Sequence, residues 1–383
     1  MFEMTKPQKE IQKAARDFAK GEFDKELAYE LEKKGEYPEK LWKKAAELGF
    51  IGIHFPETYS GGEMGLLENC LIIEELCRND PSLGGALAQA SYAAECILKY
   101  GSAAQKEKYL PEIAEGKIRS SGAFIEGVRG CEVENIETSA RKEGDKWTIN
   151  GSKKYVINAG QSGFYIVLCN TGDENTPIEK RQSMFLVDAG LTGIKVSPYG
   201  KKLGNNLVTT GEVSFENVAV TVENLLGKEG NGYRQYHDFL DEDRIITASI
   251  ALGNALASFD RMLEYVKGRE QFGKKLAEFQ VSQHKIADMA TKLELSRLVL
   301  HKAAWERDRK KTSSSLCSMA KMTAARTAME IGGQTIQLFG GYGYMTEYEV
   351  ERFYRDAKAI EIRDGARDTQ RDLIAKAAIG KIK

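Results

Sequence analysis

The sequence predicts an α+β protein with an N-terminal helical domain, a middle antiparallel β domain and a C-terminal bundle of four long helices. Apolar residues recur three and four positions apart over residues 1–119, which is typical of helices. Shorter segments with strand-like alternation follow over residues 120–228, and the helical period returns over residues 229–383. A chain of 383 residues is long enough for two or three domains with separate cores.

The first domain is predicted from helical spacing such as that of Ile11, Ala14 and Phe18. Two long apolar segments follow a glycine-rich loop, and they contain Cys70 and Cys77 seven positions apart. This spacing places both thiols on the apolar face of one helix, so we expect core packing.

The second domain is predicted from strand-length segments with β-branched and aromatic residues. Asn150-Gly151 lies between two alternating segments and is a typical hairpin dipeptide, so the pattern predicts a hairpin turn there. A cleft is expected where the sheet meets the helices, because small-molecule sites are common at domain junctions.

The third domain is predicted from three long helical segments and a charged C-terminal segment that breaks at Asp364-Gly365. The dipeptide is consistent with a simple turn. It is also a position from which a carboxylate can point into a cavity, and catalytic groups are frequent on such connections.

Composition excludes several classes of function. With 55 basic and 56 acidic residues, the chain has no net field to attract nucleic acid or an anionic membrane. The six cysteines are scattered and read as reduced thiols, and no apolar run approaches the length of a membrane span. We therefore expect a cytoplasmic protein. Four isolated histidines predict no metal site, and no Rossmann-type glycine fingerprint follows a strand.

Three motifs resemble the acyl-CoA dehydrogenase family: Gly268 to Gln280, Gln337 to Tyr344, and Val350 to Lys358. They occur in the family's order, and the resemblance extends over nearly the full length. It implies an acyl-CoA dehydrogenase fold, FAD as cofactor, an acyl-CoA substrate, electron-transfer flavoprotein as acceptor, and a homotetramer or dimer. In this chemistry the flavin accepts the hydride, while the protein positions the substrate and removes a proton.

The resemblance also implies a set of cofactor-binding residues. They comprise positions that match flavin-facing β segments and positions that match a FAD site shared between subunits: Phe124, Ile125, Cys131, Tyr155, Ile157, Arg269, Gln271, Phe272, Phe279, Gln280, Gln337, Gly340, Gly341 and Asp368. Asp241, Arg244 and Gly365 are implied to contact the CoA substrate. The chain departs from the family where Ile125 and Ile157 replace hydroxyl residues, so those two side chains offer the flavin no hydrogen bond.

Two acids compete for the role of catalytic base. Asp364 matches the position where most family members have a longer glutamate, whereas Asp243 matches the position used by a minority. Asp364 is favoured because its position is the commoner one. Arg363 and Arg367 flank it, and a neighbouring cation lowers the pKa of a carboxyl group.

The segment Leu83 to Ala88 matches the acyl pocket and consists of small or apolar residues. This composition suits a cyclic or branched acyl group, such as cyclohexanecarboxyl-CoA, but it suits close helix packing equally. The alternatives are a flavin-dependent oxidase of the same fold and a non-catalytic paralogue that binds flavin or acyl-CoA.

Overall fold

The structure, a computed structural model, describes residues 3–127 and 132–381. The order of the elements is helical, then β, then helical, so the predicted fold class is confirmed.

The N-terminal helices begin with a capping box, in which the Thr5 side chain accepts from the Gln8 backbone amide and the Gln8 side chain accepts from that of Thr5. The helices are α1 (Lys6–Glu22), α2 (Lys25–Lys34), α3 (Glu39–Glu47), α4 (Leu66–Asn79), α5 (Pro81–Ala88), α6 (Ala94–Tyr100) and α7 (Ala103–Ala114). Cys70 and Cys77 are fully buried on α4, as their spacing predicts.

The middle domain is one twisted sheet whose strands pair mainly antiparallel. Its elements are β1 (Gly122–Ala123), β2 (Ser139–Glu143), β3 (Lys146–Ile157), β4 (Phe164–Asn170), α8 (Ile178–Arg181), β5 (Gln182–Asp188), β6 (Ile194–Pro198), β7 (Thr210–Thr221) and β8 (Leu225–Leu226). The strand order is β6-β7-β3-β2-β4-β5-β8, with β1 parallel to β4. Trp147 and Phe185 pack edge to face in its core.

The predicted hairpin at Asn150-Gly151 is wrong. Strand β3 runs through both residues, and its register with β7 shifts between Ile149 and Gly151, which marks a bulge. Gly151 is required there because a Cβ would lie 2.4 Å from the Thr138 hydroxyl. The turn between β2 and β3 is instead at Gly144-Asp145, where Glu143 pairs with Lys146.

The C-terminal elements are α9 (Gly232–Gly268), β9 (Glu270–Gln271), β10 (Lys274–Lys275), α10 (Gln280–Asp308), α11 (Ser314–Phe339), α12 (Val350–Ile362) and α13 (Arg367–Ile379). Helix α9 is the longest of them and packs against α10, α11 and α12. It also contacts α4 and α5 of the first domain and β5 of the sheet. Its central residues are therefore placed where the three layers meet.

Among the helices in the described ranges, none is long and apolar enough to cross a membrane.

Candidate active site

The two candidate acids lie side by side although they come from different helices. Asp243 is on the buried face of α9, and Asp364 follows the end of α12 in a left-handed backbone conformation, with φ of 59°. We call these two residues the acid pair. The side chain of Asp364 is only 5% exposed. The break between α12 and α13 therefore turns this carboxylate inward, as the sequence allowed.

Arg363 binds both members of the acid pair through two nitrogens of its guanidinium group. Its Nε donates to Asp364 Oδ2 at 2.8 Å, and its Nη2 lies 3.1 Å from Asp243 Oδ1 and 3.2 Å from Oδ2. The third nitrogen, Nη1, donates to the side-chain oxygen of Gln89. Charge-assisted hydrogen bonds of this kind are the strong ones, so the acid pair is held rigidly.

Thr247 completes the contacts of Asp364. It lies one helical turn after Asp243 on α9, and its hydroxyl donates to Asp364 Oδ2 at 2.8 Å. The same hydroxyl accepts from Arg363 Nη2 at 2.9 Å. The single hydroxyl hydrogen is donated to Asp364, because the guanidinium of Arg363 can only donate to this oxygen.

The two carboxyl groups differ in proton affinity. Burial, together with the neighbouring Asp364 charge, raises the pKa of Asp243 well above its ordinary value, even though Arg363 opposes the shift. Burial alone would also raise the pKa of Asp364, but Arg363 and a hydrogen bond with Asp243 hold this pKa below its ordinary value. Like charges this close do not both ionise readily, and the opposite directions of the two pKa shifts favour Asp243 as the member that stays protonated.

Aromatic side chains form a wall beside the acid pair. The Arg363 guanidinium lies 5.5 Å from the centre of the Tyr92 ring, and Tyr92 packs edge to face with Phe239 at 5.4 Å. Phe239 in turn packs against Phe124 from the β domain at 5.2 Å. The wall therefore connects the acid pair to a residue predicted to face the flavin.

The predicted CoA contacts Asp241 and Arg244 bind each other, with Arg244 Nη1 2.7 Å from Asp241 Oδ1. Arg244 is buried, and its Nε has no hydrogen-bond partner within the ranges that the structure describes. An unsatisfied buried donor is costly, so this nitrogen is suited to an acceptor supplied by a ligand. The third predicted contact, Gly365, is buried directly after Asp364.

A cavity of about 480 Å³ lies where the end of α11 meets the end of α9. We call it the Arg269 cavity; its lining residues are Tyr265, Arg269, Gln271, Leu276, Leu338, Phe339, Gly340, Gly341, Tyr342 and Met345. Tyr265 and Phe339 stack at 3.9 Å, and Arg269 lies over the Tyr342 ring. A Cβ on Gly340 or Gly341 would meet nothing within 4 Å, so the backbone there borders open space. Flat aromatic walls and one guanidinium suit a nucleotide diphosphate.

The structure brings four of the predicted cofactor residues together in this cavity: Arg269, Gln271, Gly340 and Gly341. The predicted positions Gln280 and Gln337 are exposed, and Phe272 is 93% exposed. Phe279, at the start of α10, is half-buried. Asp368 is 84% exposed and pairs with Arg371. These residues do not line the cavity within one chain.

The predicted flavin-facing residues lie directly after β1 and in the last residues of β3. Phe124 and Ile157 are buried, Ile125 is partly buried, and Tyr155 is exposed, with its ring 5.4 Å from that of Tyr199. Cys131 lies outside the described residues.

Sequence reasoning missed Gln89, Tyr92 and Thr247 as parts of the site, and it treated Arg363 only as a neighbour of Asp364. Thr247 could have been found, because a position four residues after Asp243 lies on the same helix face. Gln89 and Tyr92 carried no such signal, since their contact with Arg363 joins residues more than 270 positions apart.

Within residues 3–127 and 132–381, no group of three His, Cys, Asp or Glu residues is placed so that it could hold a metal ion.

The acid pair, its aromatic wall and the three-layer fold are consistent with a flavoprotein dehydrogenase, the class that the sequence motifs resemble. Family models of the N-terminal, middle and C-terminal domains of acyl-CoA dehydrogenases match residues 5–117, 123–218 and 230–379. A probable acyl-CoA dehydrogenase of Bacillus subtilis is 37% identical, with 98% of each chain covered. The chain therefore belongs to the acyl-CoA dehydrogenase family, whose members are FAD-dependent oxidoreductases.

Comparison with solved structures supports the same family membership. Butyryl-CoA dehydrogenase from Megasphaera elsdenii superposes with a TM-score of 0.94 at 33% identity, covering 99% of this chain and 100% of that one. A chain from a structure described as the electron transferring flavoprotein of Acidaminococcus fermentans gives a TM-score of 0.95 at 35% identity, with both chains fully covered.

Proposed function

We propose that this protein dehydrogenates an uncharged cyclic or branched acyl-CoA, with Asp364 as the base that removes the α-proton. The observation that carries the assignment is the unequal acid pair. Both carboxyl groups bind Arg363, but only Asp364 also accepts a hydrogen bond from the Thr247 hydroxyl, which further stabilises its ionised form. Asp243 is the member that keeps the proton. A base must begin the reaction without its proton, so Asp364 is favoured over Asp243.

Asp243 then has a supporting role. The proton of Asp243 is directed toward Asp364, so Asp243 stabilises the carboxylate of Asp364 before the reaction. When Asp364 becomes protonated, the hydrogen bond between the two carboxyl groups rearranges. Arg363 remains bound to both residues and keeps the net charge of the cluster close to zero. When bound, FAD supplies the acceptor for the β-hydride, and the product is the α,β-unsaturated acyl-CoA.

The nature of the acyl group is inferred from charges and shape. Arg363 is committed to the acid pair, Arg244 to Asp241 and Lys321 to backbone carbonyls. Arg363 and Lys321 are therefore occupied, and the Arg244 Nε, which lacks a partner within the described residues, is proposed to serve the CoA moiety. This leaves none of the three cations for a second carboxylate on the substrate, which favours an uncharged acyl group. Tyr92 and Phe239 pack edge to face and give the acid pair apolar surroundings, which suit a hydrocarbon ring, for example in cyclohexanecarboxyl-CoA.

The small residues of α5 give weaker support. A Cβ on Gly84 would lie 2.6 Å from the backbone of Cys77, so close packing of α5 on α4 explains this glycine. A Cβ on Gly85 would make only ordinary contact with Ile250 at 3.7 Å. The preference for a ring therefore rests on the aromatic wall.

The Arg269 cavity is proposed to hold the adenosine diphosphate end of FAD, with Arg269 on the pyrophosphate. Gln271, Phe272 and Gln280 extend from the same region and are proposed to reach the FAD of a neighbouring subunit in a homotetramer or dimer. Their exposure in one chain supports this arrangement.

The test of the activity is an anaerobic screen of acyl-CoAs for loss of the oxidised flavin absorbance. The panel contains cyclohexanecarboxyl-, isobutyryl-, butyryl- and glutaryl-CoA. We expect rapid bleaching with the cyclic or branched thioesters and none with glutaryl-CoA. Asp364→Asn should slow bleaching by roughly 100- to 10,000-fold, the usual contribution of a general base. The exposed Asp17→Asn is the matched control and should behave as wild type. Bleaching by glutaryl-CoA alone would contradict the proposal.

The electron acceptor is proposed to be electron-transfer flavoprotein, supported by the similarity to the Acidaminococcus chain. Reduced enzyme should be reoxidised quickly by this partner and slowly by air. Fast reoxidation by oxygen would indicate the oxidase alternative instead.

A further inference from the structure

The backbone that carries Asp364 requires support from outside the turn. Asp364 and Gly365 both have positive φ, 59° and 93°. Aspartate tolerates this region but does not favour it, and helix α12 ends here with carbonyl groups that lack intrahelical donors. Without external donors, the buried carbonyls around the break would lack hydrogen-bond partners, which destabilises a folded protein. Two side chains supply these donors.

Lys321 supplies them from α11. Its ammonium donates to the carbonyl of Glu361, in the last turn of α12, at 2.9 Å and to that of Gly365 at 3.0 Å. The residue is only 1% exposed, and a buried lysine is rare unless it has such partners. Lys321 therefore links the last turn of α12 to the residue directly after Asp364.

Gln370 supplies them from α13, on the other side of the turn. Its side-chain nitrogen donates to the carbonyls of Asp364 and Gly365, both at 2.9 Å. Gln370 is fully buried, and a Cβ on Gly365 would lie 2.8 Å from its nitrogen. The contact explains why glycine follows Asp364, because a side chain there would displace the glutamine.

We propose that Lys321 and Gln370 are positioning residues that clamp the Asp364-Gly365 turn, and that the Lys321 ammonium also helps to keep Asp364 ionised. The clamp rests on the proposed function, since it assigns a purpose to the orientation of Asp364 as base. Gln370 acts by geometry alone, whereas Lys321 acts by geometry and by charge. The two residues are therefore expected to give different kinetic signatures.

The charges around Lys321 support the electrostatic part. Asp364 and Glu361 face it with negative charge, whereas Arg363 from the turn and Arg244 from α9 face it with positive charge. Burial lowers the pKa of Lys321 to about 8, with the attraction of Asp364 as the largest opposing effect. The ammonium is consequently charged at neutral pH. In return, it contributes to holding the pKa of Asp364 below its ordinary value.

The experiment measures single-turnover flavin reduction from pH 3.5 to pH 9 in the FAD-loaded oligomer, so that the range extends below the ordinary aspartate pKa of about 3.9. Lys321→Met removes donors and charge, Lys321→Gln removes charge but keeps a donor, and Gln370→Leu removes the second clamp. We expect Lys321→Met to lower the limiting rate by about 100-fold, as a displacement near 1 Å can do. In this variant, the acid limb of the pH–rate profile, where the rate falls as Asp364 gains a proton, should move to higher pH. The reason is that Asp364 is protonated more easily without the ammonium. Gln370→Leu should lower the rate without moving that limb.

Lys321→Gln separates geometry from charge. It should recover part of the rate lost in Lys321→Met while it keeps the displaced acid limb. The exposed Lys13→Met is the matched control and should match wild type. FAD content and thermal unfolding are followed in every variant. If Lys321→Gln and Gln370→Leu keep the wild-type rate and pH profile, the clamp is rejected. The clamp is also rejected if every loss of flavin reduction rate parallels a loss of bound FAD. If Asp364→Asn reduces flavin normally, the proposed base is wrong rather than the clamp.

Discussion

The acid pair and the Arg269 cavity differ in how completely the residues of a single chain bury them and hydrogen-bond to them. Around the acid pair, Arg363 and Thr247 occupy the carboxylates with short hydrogen bonds, and nearly all of this cluster is buried. Around the Arg269 cavity, the glycine backbone borders open space and Phe272 lies almost fully in solvent. The difference fits the proposal that the first region carries out the reaction and the second binds the cofactor. Substitutions in the first should change reaction rates, whereas those in the second should change FAD retention.

The largest expected effect is that of Arg363→Met. It leaves two buried carboxyl groups without their shared cation, and removing one partner of a buried ion pair costs about 3–5 kcal/mol. The pKa of Asp364 should rise without its main stabilising charge, so flavin reduction should fall by at least about 100-fold near neutral pH and recover partly at alkaline pH. Stopped-flow rates and urea unfolding measure the two effects. The control is Arg326→Met, whose side chain is largely exposed; equal behaviour of both variants would contradict the role of Arg363.

A smaller effect is expected from Thr247→Val, which removes the hydroxyl but keeps the branched shape. A hydrogen bond to a charged acceptor contributes about 1.5–3 kcal/mol. We expect a rate roughly 10- to 100-fold lower, with the acid limb of the pH profile moved to higher pH. Thr247→Ser restores the hydroxyl and should restore most of the rate. A Thr247→Val enzyme with a wild-type pH profile would show that the hydroxyl does not support the carboxylate of Asp364.

The Arg269 cavity should respond differently. Arg269→Met removes one charge-assisted contact, so the dissociation constant for FAD should rise by about 10-fold. Once the variant is saturated with FAD, its reduction rate should stay close to that of wild type. Fluorescence titration of the apoprotein with FAD gives the first quantity, and stopped-flow absorbance gives the second. A fall in the saturated rate as large as that of Thr247→Val would remove the distinction between the two regions.

The smallest expected effect concerns stability and pH. The pKa of Asp243 is raised in the folded protein, so above about pH 3.9 the unfolded chain has released a proton that the folded protein keeps. The contribution of Asp243 to stability therefore decreases as the pH rises from this value toward its folded pKa. Asparagine does not titrate, so Asp243→Asn should gain stability relative to wild type between pH 5 and pH 8, on the order of 1 kcal/mol. Thermal unfolding of both FAD-loaded proteins tests this sign.

The fold followed from the sequence because each layer has its own hydrophobic period, and these periods change near Arg119 and Gly232. The prediction of a hairpin at Asn150-Gly151 was wrong because a β-bulge also favours a glycine after a polar residue. The turn between β2 and β3 is at Gly144-Asp145, a dipeptide for which no turn was predicted. Local patterns thus gave the element types more reliably than their connections.

The site was predictable only in part. Asp243 and Asp364 were found from motif positions, but their contact depends on how α9 meets the end of α12. Lys321 and Gln370 act on backbone carbonyls, and a single sequence carries no signal for such contacts across helices. The unequal pKa values of the two acids likewise depend on burial and on the direction of Arg363.

The most direct test of the account compares flavin reduction in Asp364→Asn and Asp243→Asn. Asparagine at position 243 resembles the protonated aspartate, since it also offers a donor to Asp364. We predict that Asp243→Asn keeps the rate within about 10-fold of wild type, whereas Asp364→Asn loses at least about 100-fold. A low rate in Asp243→Asn together with a nearly normal rate in Asp364→Asn would contradict the account and make Asp243 the base.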